Sequence, residues 1–272
     1  MRRGWKLPGG MRLANALCGG WTVLVLIFLY FPIVFLVVYS FNSSKLNIVW
    51  EGFTWKWYLE LLGNVRLIDG FKNSIVIACA STVLSVFLGT GGAWLMYRFR
   101  YRHSGIIETA AYLPMVVPEV IMGISLLVFY KSISLSLGHT TVILAHATFC
   151  FPFVMAAVRA RLAGLDPALE EAAMDLGAGP ARAFVYVIVP YLMPAIAAGG
   201  LMAFALSLDE VIVSYFTTDA ASKTLPLRIY DMAKVGLNPM INALSTLFVA
   251  VTALILILME ILRQRRRPAA GD

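Results

Sequence analysis

The sequence predicts an all-α integral membrane protein with six transmembrane helices. Three observations carry the prediction: a mean hydropathy of +0.80, a charged fraction of 14%, and long apolar runs that recur along the 272 residues. Soluble domains carry about a quarter charged residues, and a helix needs roughly 20 mainly apolar residues to span a membrane. The alternating pattern of a membrane β-barrel is absent from these runs.

The apolar runs define the six spans. Helices are predicted at about 19–41, 73–97, 106–130, 140–158, 194–216 and 241–262. Glu119 interrupts the third run, and Asp209 with Glu210 interrupts the fifth. Pro114 and Pro118 predict a kink in the third helix, because proline frees backbone carbonyls inside a membrane helix.

The distribution of Lys and Arg predicts the orientation. With the N-terminus inside, fourteen of these residues fall in the inside segments and eight in the outside segments, as the positive-inside rule requires. Both termini are therefore predicted to be cytoplasmic, in a single membrane domain over 1–272. The long outside segments are about 42–72 and 217–240, and the long inside loop is about 159–190. The net charge of +7 fits anionic lipid headgroups, and no basic stripe indicates nucleic-acid binding.

The N-terminus and the cysteines point to no further chemistry. The first apolar run is too long for a signal peptide and lacks a small-residue cleavage pattern, which favours a retained helix. Cys18, Cys79 and Cys150 are too scattered for a disulfide framework or a metal cluster. His139 and His146 are expected at a helix end or in a packed bundle, so no metal site is predicted.

A short acidic element stands out inside the loop. Asp166 before Pro167 is a good N-cap, residues 168–176 are strong helix formers, and Gly177 suits a helix C-terminus with positive φ. A second helix is predicted from Gly179-Pro180 to about 189. The first helix carries acids on one face and small apolar residues on the other, which suits docking into a groove of another protein. A solvated hairpin between two helices is the alternative.

The same element carries a family resemblance. Glu171-Ala172-Ala173, three further residues, Gly177, and an aliphatic-x-aliphatic-Pro ending at Pro190 resemble the EAA loop of binding-protein-dependent ABC importer permeases. The usual ending is Ile-x-Leu-Pro, and Val187 and Val189 replace its two aliphatic residues here. The resemblance implies the type I ABC importer permease fold and a transport subunit of the bacterial inner membrane without catalytic residues. It also implies contact with a separate ATPase dimer, which would hold ATP and Mg, while this chain would bind no cofactor. The implied coupling residues are Glu170, Glu171, Ala172, Ala173, Asp175 and Gly177.

A closer resemblance covers nearly the whole chain. Phe41-Asn42-Ser43-Ser44-Lys45, Gly52-Phe53-Thr54, Pro118-Glu119, Ser207-Leu208-Asp209-Glu210 and Leu225-Pro226-Leu227 look like the spermidine/putrescine permease subunits. This implies polyamine import together with a second homologous permease subunit and an external polyamine-binding protein. Those permeases commonly have Asp where this chain has Glu119 and Glu210.

The acids within the spans need an explanation that is independent of family. A carboxylate near the bilayer centre costs on the order of 2.5–3.5 kcal/mol, so such residues normally face a bundle interior or a watery path. Asp209 and Glu210 would point about 100° apart on one helix, with Glu210 on the stripe of Ser207, Ser214 and Thr217. The predicted path residues are Asp209, Glu210, Glu119 and Tyr215. Acids that are paired inside the bundle and only position helices remain the alternative.

Other functions stay open at this point. The same machine could carry another small solute, such as a cation or an amino acid, although the intramembrane acids argue against an anion. An intramembrane hydrolase using Asp209 with a second carboxylate would leave the acidic loop unexplained. Secondary transport would favour inverted repeats, which are not evident. The chain has no Walker-type Gly-x-x-x-x-Gly-Lys-Ser/Thr, so nucleotide binding is assigned to a partner.

Overall fold

The computed structural model describes residues 9–44, 49–99, 104–236 and 239–265. Helices dominate these residues, which contain no strand and one isolated bridge between Asn42 and Phe53. The α-helices are α1 (Gly9–Tyr39), α2 (Lys56–Leu62), α3 (Val65–Arg98), α4 (Ser104–Tyr112), α5 (Glu119–Ser132), α6 (His139–Leu162), α7 (Ala168–Asp175), α8 (Pro180–Ala183), α9 (Val189–Asp209), α10 (Ile212–Thr217), α11 (Leu225–Val235) and α12 (Pro239–Arg265).

The all-α membrane class is confirmed, while the count of six spans is matched only in part. Four described helical stretches are long and apolar enough to cross a membrane: Leu17–Tyr39, Val65–Arg98, His139–Leu162 and Pro180–Asp209. A bent pair, Ser104–Met115 with Glu119–Ser132, makes a fifth if it is counted as one span. The last predicted span corresponds to α12, whose described apolar part, Pro239–Ile255, is shorter than the other spans.

Two predicted spans are broken rather than continuous. The third is interrupted before Pro118, where a 3₁₀ turn at Leu113–Met115 ends α4 and the chain bends by 105° into α5. The bend follows the predicted proline kink. The fifth is interrupted at Glu210, whose backbone is extended between α9 and α10. The sequence does not predict that second break, since the residues on either side are equally apolar.

The second loop helix does not end before Pro190, so that predicted boundary is wrong. A π-helical turn at Phe184–Ile188 joins α8 to α9, and Pro190 lies in the first turn of α9. Proline cannot donate an intrahelical bond, and the residue before it, Val189, bonds the Phe184 carbonyl in the π pattern. The π turn thus lets the helix pass the proline without a break.

The chain divides into two compact units. One unit holds the residues up to Gly63 together with Val235–Ala250. Within it, Asn42 organises the segment after α1: its side-chain amide donates to the Val49 carbonyl (2.7 Å), its side-chain oxygen accepts from the Glu51 amide (3.0 Å), and its carbonyl accepts from the Trp57 indole (2.7 Å). The apolar side chains of α1 are largely exposed, Phe28 at 75%.

The other unit holds Asn64–Lys234 together with the residues from Val251 onward. Its core is formed where α3, α6 and α9 pack on one another, with α10 against α5 and α6. Glycines allow the closest approaches: a Cβ at Gly89 of α3 would lie 2.8 Å from the Phe151 carbonyl of α6, and one at Gly199 of α9 would lie 3.0 Å from the Val154 Cα. Close packing of small residues is what holds helices together in lipid, where hydrophobic burial gives no advantage.

Candidate functional site

The first helix break places Glu119 at a helix start. Pro118 is the N-cap residue of α5, with φ −55° and ψ 132°, and Glu119 is the first residue of the helix. A carboxylate in this position is stabilised by the positive end of the helix dipole. Its side chain is half-buried. The proline therefore both bends the span and presents a carboxylate at the bend.

The second break places Asp209 and Glu210 between two helices. Asp209 ends α9, and Glu210 is extended, with ψ 122°, before α10 begins at Ile212. The Glu210 carboxylate is 6% exposed and accepts a hydrogen bond from the Val213 amide at 2.8 Å. Glu210 thus caps α10, while the Asp209 side chain is exposed.

The two breaks lie near each other. Glu119 is within electrostatic reach of both Asp209 and Glu210. α5 packs against α10, where Gly123 leaves room for the Phe216 ring. Three carboxylates from two interrupted helices are therefore gathered in one region of this unit. Interrupted membrane helices are where polar backbone and charged side chains are tolerated, because they line cavities or protein interiors.

A buried hydrogen-bond network lies beside Glu210, and sequence reasoning gave it no role. His146 of α6 binds the Ser207 hydroxyl through Nδ1 (2.8 Å) and the Ser214 hydroxyl through Nε2 (2.7 Å). Ser207 also binds the hydroxyl of Ser81 on α3 at 2.8 Å. All four side chains are buried. The network ties α3, α6, α9 and α10 together across the break.

The predicted stripe on the fifth span agrees with this burial. Ser207, Glu210, Ser214 and Thr217 are all buried, so the face predicted for Glu210 is the interior face. The expectation that His146 sits in a packed bundle also fits, and His139 is the first residue of α6, with Nε2 2.9 Å from the Asn73 side-chain oxygen. Within the described residues, no group of three His, Cys, Asp or Glu could hold a metal ion.

Tyr215, the fourth predicted path residue, lies on α10, beyond Glu210 in the sequence. Its side chain is 48% exposed. The ring is close to Phe216, with centroids 5.2 Å apart and an edge-on geometry. Tyr215 therefore belongs to the same broken helix as the acids but presents an accessible ring.

The acidic loop has the helical structure that its sequence predicts. Asp166 accepts a hydrogen bond from the Ala168 amide at 3.0 Å, and Gly177 has φ +86°. The Gly177 amide donates to the Met174 carbonyl (2.9 Å) and the Ala178 amide to the Ala173 carbonyl (3.1 Å). These two bonds form a Schellman motif, in which the left-handed residue favours glycine.

The acids of this loop differ in their availability. Glu170 is held within the chain by an ion pair with Arg98 at the end of α3 (Nε–Oε1 3.2 Å), and its side chain is only 13% exposed. Glu171, Ala172 and Asp175 are exposed. Ala173 is half-buried. The surface that α7 offers to another protein is thus formed by Glu171, Ala172 and Asp175, extended by Leu176, which is 90% exposed.

A second ion pair lies at the same end of the unit. Arg159 of α6 pairs with Glu108 of α4. Glu108 and Arg159 are separated by the whole of α5 in sequence, so this pair links the first part of the bent third span to the fourth span. One ion pair thus holds α6, which leads into the acidic loop, and the other holds α7 within the loop.

A protein-family comparison matches most of the chain. The model described as "Binding-protein-dependent transport system inner membrane component" matches residues 66–268. The chain is 38% identical over 261 residues to the spermidine/putrescine transport system permease protein PotC of Escherichia coli, covering 96% of this chain and 99% of that protein. It is 39% identical over 246 residues to the putrescine transport system permease protein PotI of Escherichia coli, covering 86% and 88%.

Solved structures resemble the fold at low sequence identity. One is a bacterial ABC transporter involved in the import of the acidic polysaccharide alginate, with a TM-score of 0.73, 14% identity, and coverage of 96% of this chain and 99% of that chain. Another is the MetNI methionine ABC transporter in inward-facing conformations, with a TM-score of 0.62, 18% identity, and coverage of 73% and 95%. At these identities the likeness shows the fold alone, which is that of ABC transporter membrane subunits.

Proposed function

The chain belongs to the family of binding-protein-dependent transport system inner membrane components, and on that premise we propose that it is the permease subunit of an ATP-driven importer of putrescine and spermidine. Membership of this family makes it a transport subunit rather than a hydrolase. The mechanism that we propose is alternating access, with the polyamine moving past the broken helices of the chain.

One observation carries the proposal for the cargo. Glu119, Asp209 and Glu210 are brought to two neighbouring helix breaks inside an apolar unit. A polyamine is a flexible polycation with apolar spacers, so its path needs carboxylates or carbonyls for the ammonium groups and apolar or aromatic walls for the spacers. The exposed Asp209 supplies the accessible negative charge. The buried Glu210 fixes the break by capping α10 and adds to the negative potential.

The names of the relatives support the same cargo. Those relatives are named for spermidine and putrescine transport and match nearly the whole chain. The fold alone does not select a cargo, because fold neighbours carry an acidic polysaccharide and methionine. An acidic cargo would meet like charges at the helix breaks, so a cationic cargo fits these residues better.

The coupling role is assigned to the loop at about 159–190. α7 presents Glu171, Ala172 and Asp175 on its exposed surface, and Gly177 closes the helix in a left-handed turn. We assign this surface to a groove of a separate ATPase dimer, which would hold ATP and Mg. Both termini then lie in the cytoplasm, and the segments at about 42–72 and 217–240 lie on the outer side of a single membrane domain spanning 1–272.

The remaining partners follow from the exposed surfaces. The side chains of α1 between Leu17 and Phe35 are exposed and mostly apolar. Such a helix needs lipid or another apolar surface beside it. We assign lipid and a second, homologous permease subunit to this role, in a heterodimer, and an external polyamine-binding protein to the outer side.

The test is uptake by the complete complex. The chain is reconstituted in liposomes with its partner permease, ATPase and binding protein, and ATP-dependent uptake of labelled putrescine and spermidine is measured with each competing against the other. Methionine and an acidic oligosaccharide are the control competitors. We expect saturable uptake that the other polyamine inhibits and the controls do not. An assembled complex that hydrolyses ATP but takes up neither polyamine would contradict the proposed cargo and leave the family assignment intact.

A further inference from the structure

An ammonium group lies against two tyrosine rings next to the second helix break. The Lys234 Nζ is 4.9 Å from the centroid of the Tyr215 ring and 4.3 Å from that of Tyr230. The two rings meet nearly at right angles, with centroids 6.5 Å apart. Each ring offers the ammonium a negatively polarised face at cation–π distance. The rings therefore form two walls around one alkylammonium group.

The positions of the three residues are fixed by neighbouring contacts. Tyr230 and Lys234 are one turn apart on α11, and Tyr215 is on α10. α11 is anchored at its start, where the Leu225 amide donates to the Ser74 hydroxyl of α3 at 2.8 Å and Leu225, Pro226 and Leu227 are buried. Asp231 of α11 forms an ion pair with Lys223, which precedes the helix, and the Nζ–Oδ2 distance is 2.6 Å. The ring pair is thus held in place by the framework around it.

The rings are nevertheless accessible. Tyr215 is 48% exposed and Tyr230 is 44% exposed. An exposed lysine side chain can point into water at little cost. The position of the Lys234 ammonium between the two rings therefore indicates that the rings suit a primary ammonium. The end of a lysine side chain is also chemically an alkylammonium, as is each end of putrescine or spermidine.

We propose that Tyr215 and Tyr230 form a binding site for the terminal ammonium of an alkylamine cargo, and that Lys234 is a built-in occupant which the cargo displaces. This rests on the proposed function. The site takes primary alkylammonium groups and leaves the aliphatic spacer free to extend. Tyr215 lies on α10, which begins at Ile212 just after Glu210, and Tyr230 and Lys234 lie on α11 in the segment at about 217–240, so the site joins that segment to the second helix break.

Displacement gives the site a specific role in selectivity. A cargo with one ammonium can replace Lys234 but carries no second charge, whereas a diamine bound at the rings keeps a second ammonium free for a carboxylate. An anion would be attracted to Lys234 but repelled by the ring faces and the acids beyond them. Each ring contact at an exposed position changes affinity by about two- to five-fold, so the site adjusts affinity for cargo without trapping it.

The first test uses NMR and needs no transport. Lysines of the assembled permease–ATPase complex, prepared without binding protein, are converted to ¹³C-dimethyllysine, which keeps the positive charge. The Lys234 signal is identified by its loss in Lys234→Arg, and the exposed Lys131 on α5 provides the control signal. We expect an upfield ring-current shift for Lys234 that disappears as putrescine is added at millimolar concentration, but not when sodium chloride of the same ionic strength is added.

The second test uses variants in uptake. Lys234→Gln removes the competitor and is expected to lower the KM for putrescine about two- to five-fold, with Lys131→Gln unchanged. Tyr215→Leu/Tyr230→Leu is expected to raise KM and to abolish the effect of Lys234→Gln, whereas Tyr215→Phe/Tyr230→Phe keeps the ring faces and is expected to keep that effect. Assembly and basal ATP hydrolysis of the Leu pair, measured beside the parent, separate the loss of the site from misfolding.

The outcomes separate the site from the cargo assignment. A Lys234 signal that is not shifted upfield, or that putrescine leaves in place, overturns the site and makes the contact a local packing feature of α11. Displacement by putrescine in a complex that imports no polyamine overturns the proposed cargo and supports an alkylammonium site serving another amine. Uptake of polyamine without displacement overturns the site alone.

Discussion

At the scale of single residues, the two carboxylates at the second helix break differ in burial and in hydrogen bonding. Glu210 is buried and one of its oxygens accepts from the Val213 amide, whereas the Asp209 side chain is exposed. A buried carboxyl group is costly unless it is hydrogen-bonded, and the cap on α10 supplies such a bond to Glu210. The pair therefore combines a buried carboxyl group held by α10 with an exposed one.

The His146 network gives a prediction at this scale. His146→Ala would remove one hydrogen bond from each of the buried Ser207 and Ser214 hydroxyls, which keep their bonds to Ser81 and to the Glu210 carbonyl, and a bond of this kind contributes about 0.5–1.5 kcal/mol. We expect a lower thermal midpoint for the detergent-solubilised complex. His139→Ala is the control, because His139 is exposed at the start of the same helix. Equal midpoints for the two variants would show that the network does not hold the four helices.

Some of these residue roles can be predicted from the sequence and others cannot. The stripe of Ser207, Glu210, Ser214 and Thr217 follows from helical spacing, and all four side chains are buried. The partner of that stripe, His146, is 61 positions before Ser207, so only the packing of α6 on α9 brings them together. The ring pair of Tyr215 and Tyr230 depends in the same way on how α11 returns to α10.

At the scale of elements, the contact between α3 and α6 depends on one glycine. A Cβ at Gly89 would lie 2.8 Å from the Phe151 carbonyl oxygen, 2.8 Å from the Val154 Cβ and 2.9 Å from the Met155 amide nitrogen. Two of these atoms are backbone, so α6 itself would have to move. The approach is possible because glycine has no side chain.

We therefore expect Gly89→Ala to destabilise the complex by about 1–3 kcal/mol, as overpacking does in other cores. Gly91→Ala is the matched control, since it lies on the same helix and a Cβ there would meet nothing within 4 Å. The measurement is the fraction of assembled complex that survives a temperature series. If the two alanine variants survive equally, the close contact between α3 and α6 is not what the structure describes.

The ion pair between Arg98 and Glu170 connects α7, to which we assign the coupling role, to α3. A pair that is partly exposed to solvent contributes at most about 1 kcal/mol to stability, so its effect should appear in coupling rather than in folding. We expect Glu170→Arg, which sets two positive charges side by side, to lower the polyamine imported per ATP hydrolysed. Reversing both charges in Arg98→Glu/Glu170→Arg should restore the ratio. A double variant that is as poorly coupled as the single one would exclude this pair as a link.

Hydrophobic periodicity does not predict where the helices begin and end. The two caps of α7 can be predicted because Asp166 and Gly177 are local signals, and both are observed. The break at Glu210 has no such signal, since apolar residues continue on both sides and the acid could equally lie on a continuous helix. Pro190 is a local signal that predicts a helix end, but the helix continues past it through a π turn.

At the scale of the whole molecule, the chain exposes two surfaces of different chemistry. The exposed surface of α1 is mostly apolar, and the exposed face of α7 carries Glu171 and Asp175. Composition is enough to predict the membrane class, and one motif is enough to predict the coupling role. Neither prediction requires knowledge of tertiary contacts. The arrangement of the acids and the continuity of the spans do depend on such contacts, which explains why they became clear only with the fold.

The measurement that tests the central claim most directly compares two acid-to-amide variants in polyamine uptake by the assembled complex. Asp209→Asn removes the exposed charge at the helix break, and Asp69→Asn removes an exposed acid near the start of α3. We predict that Asp209→Asn lowers the uptake efficiency for putrescine at least about tenfold, which corresponds to about 1.4 kcal/mol, while assembly and basal ATP hydrolysis persist and Asp69→Asn behaves as the parent. Normal uptake in an assembled Asp209→Asn complex would contradict a cation path through the broken helices.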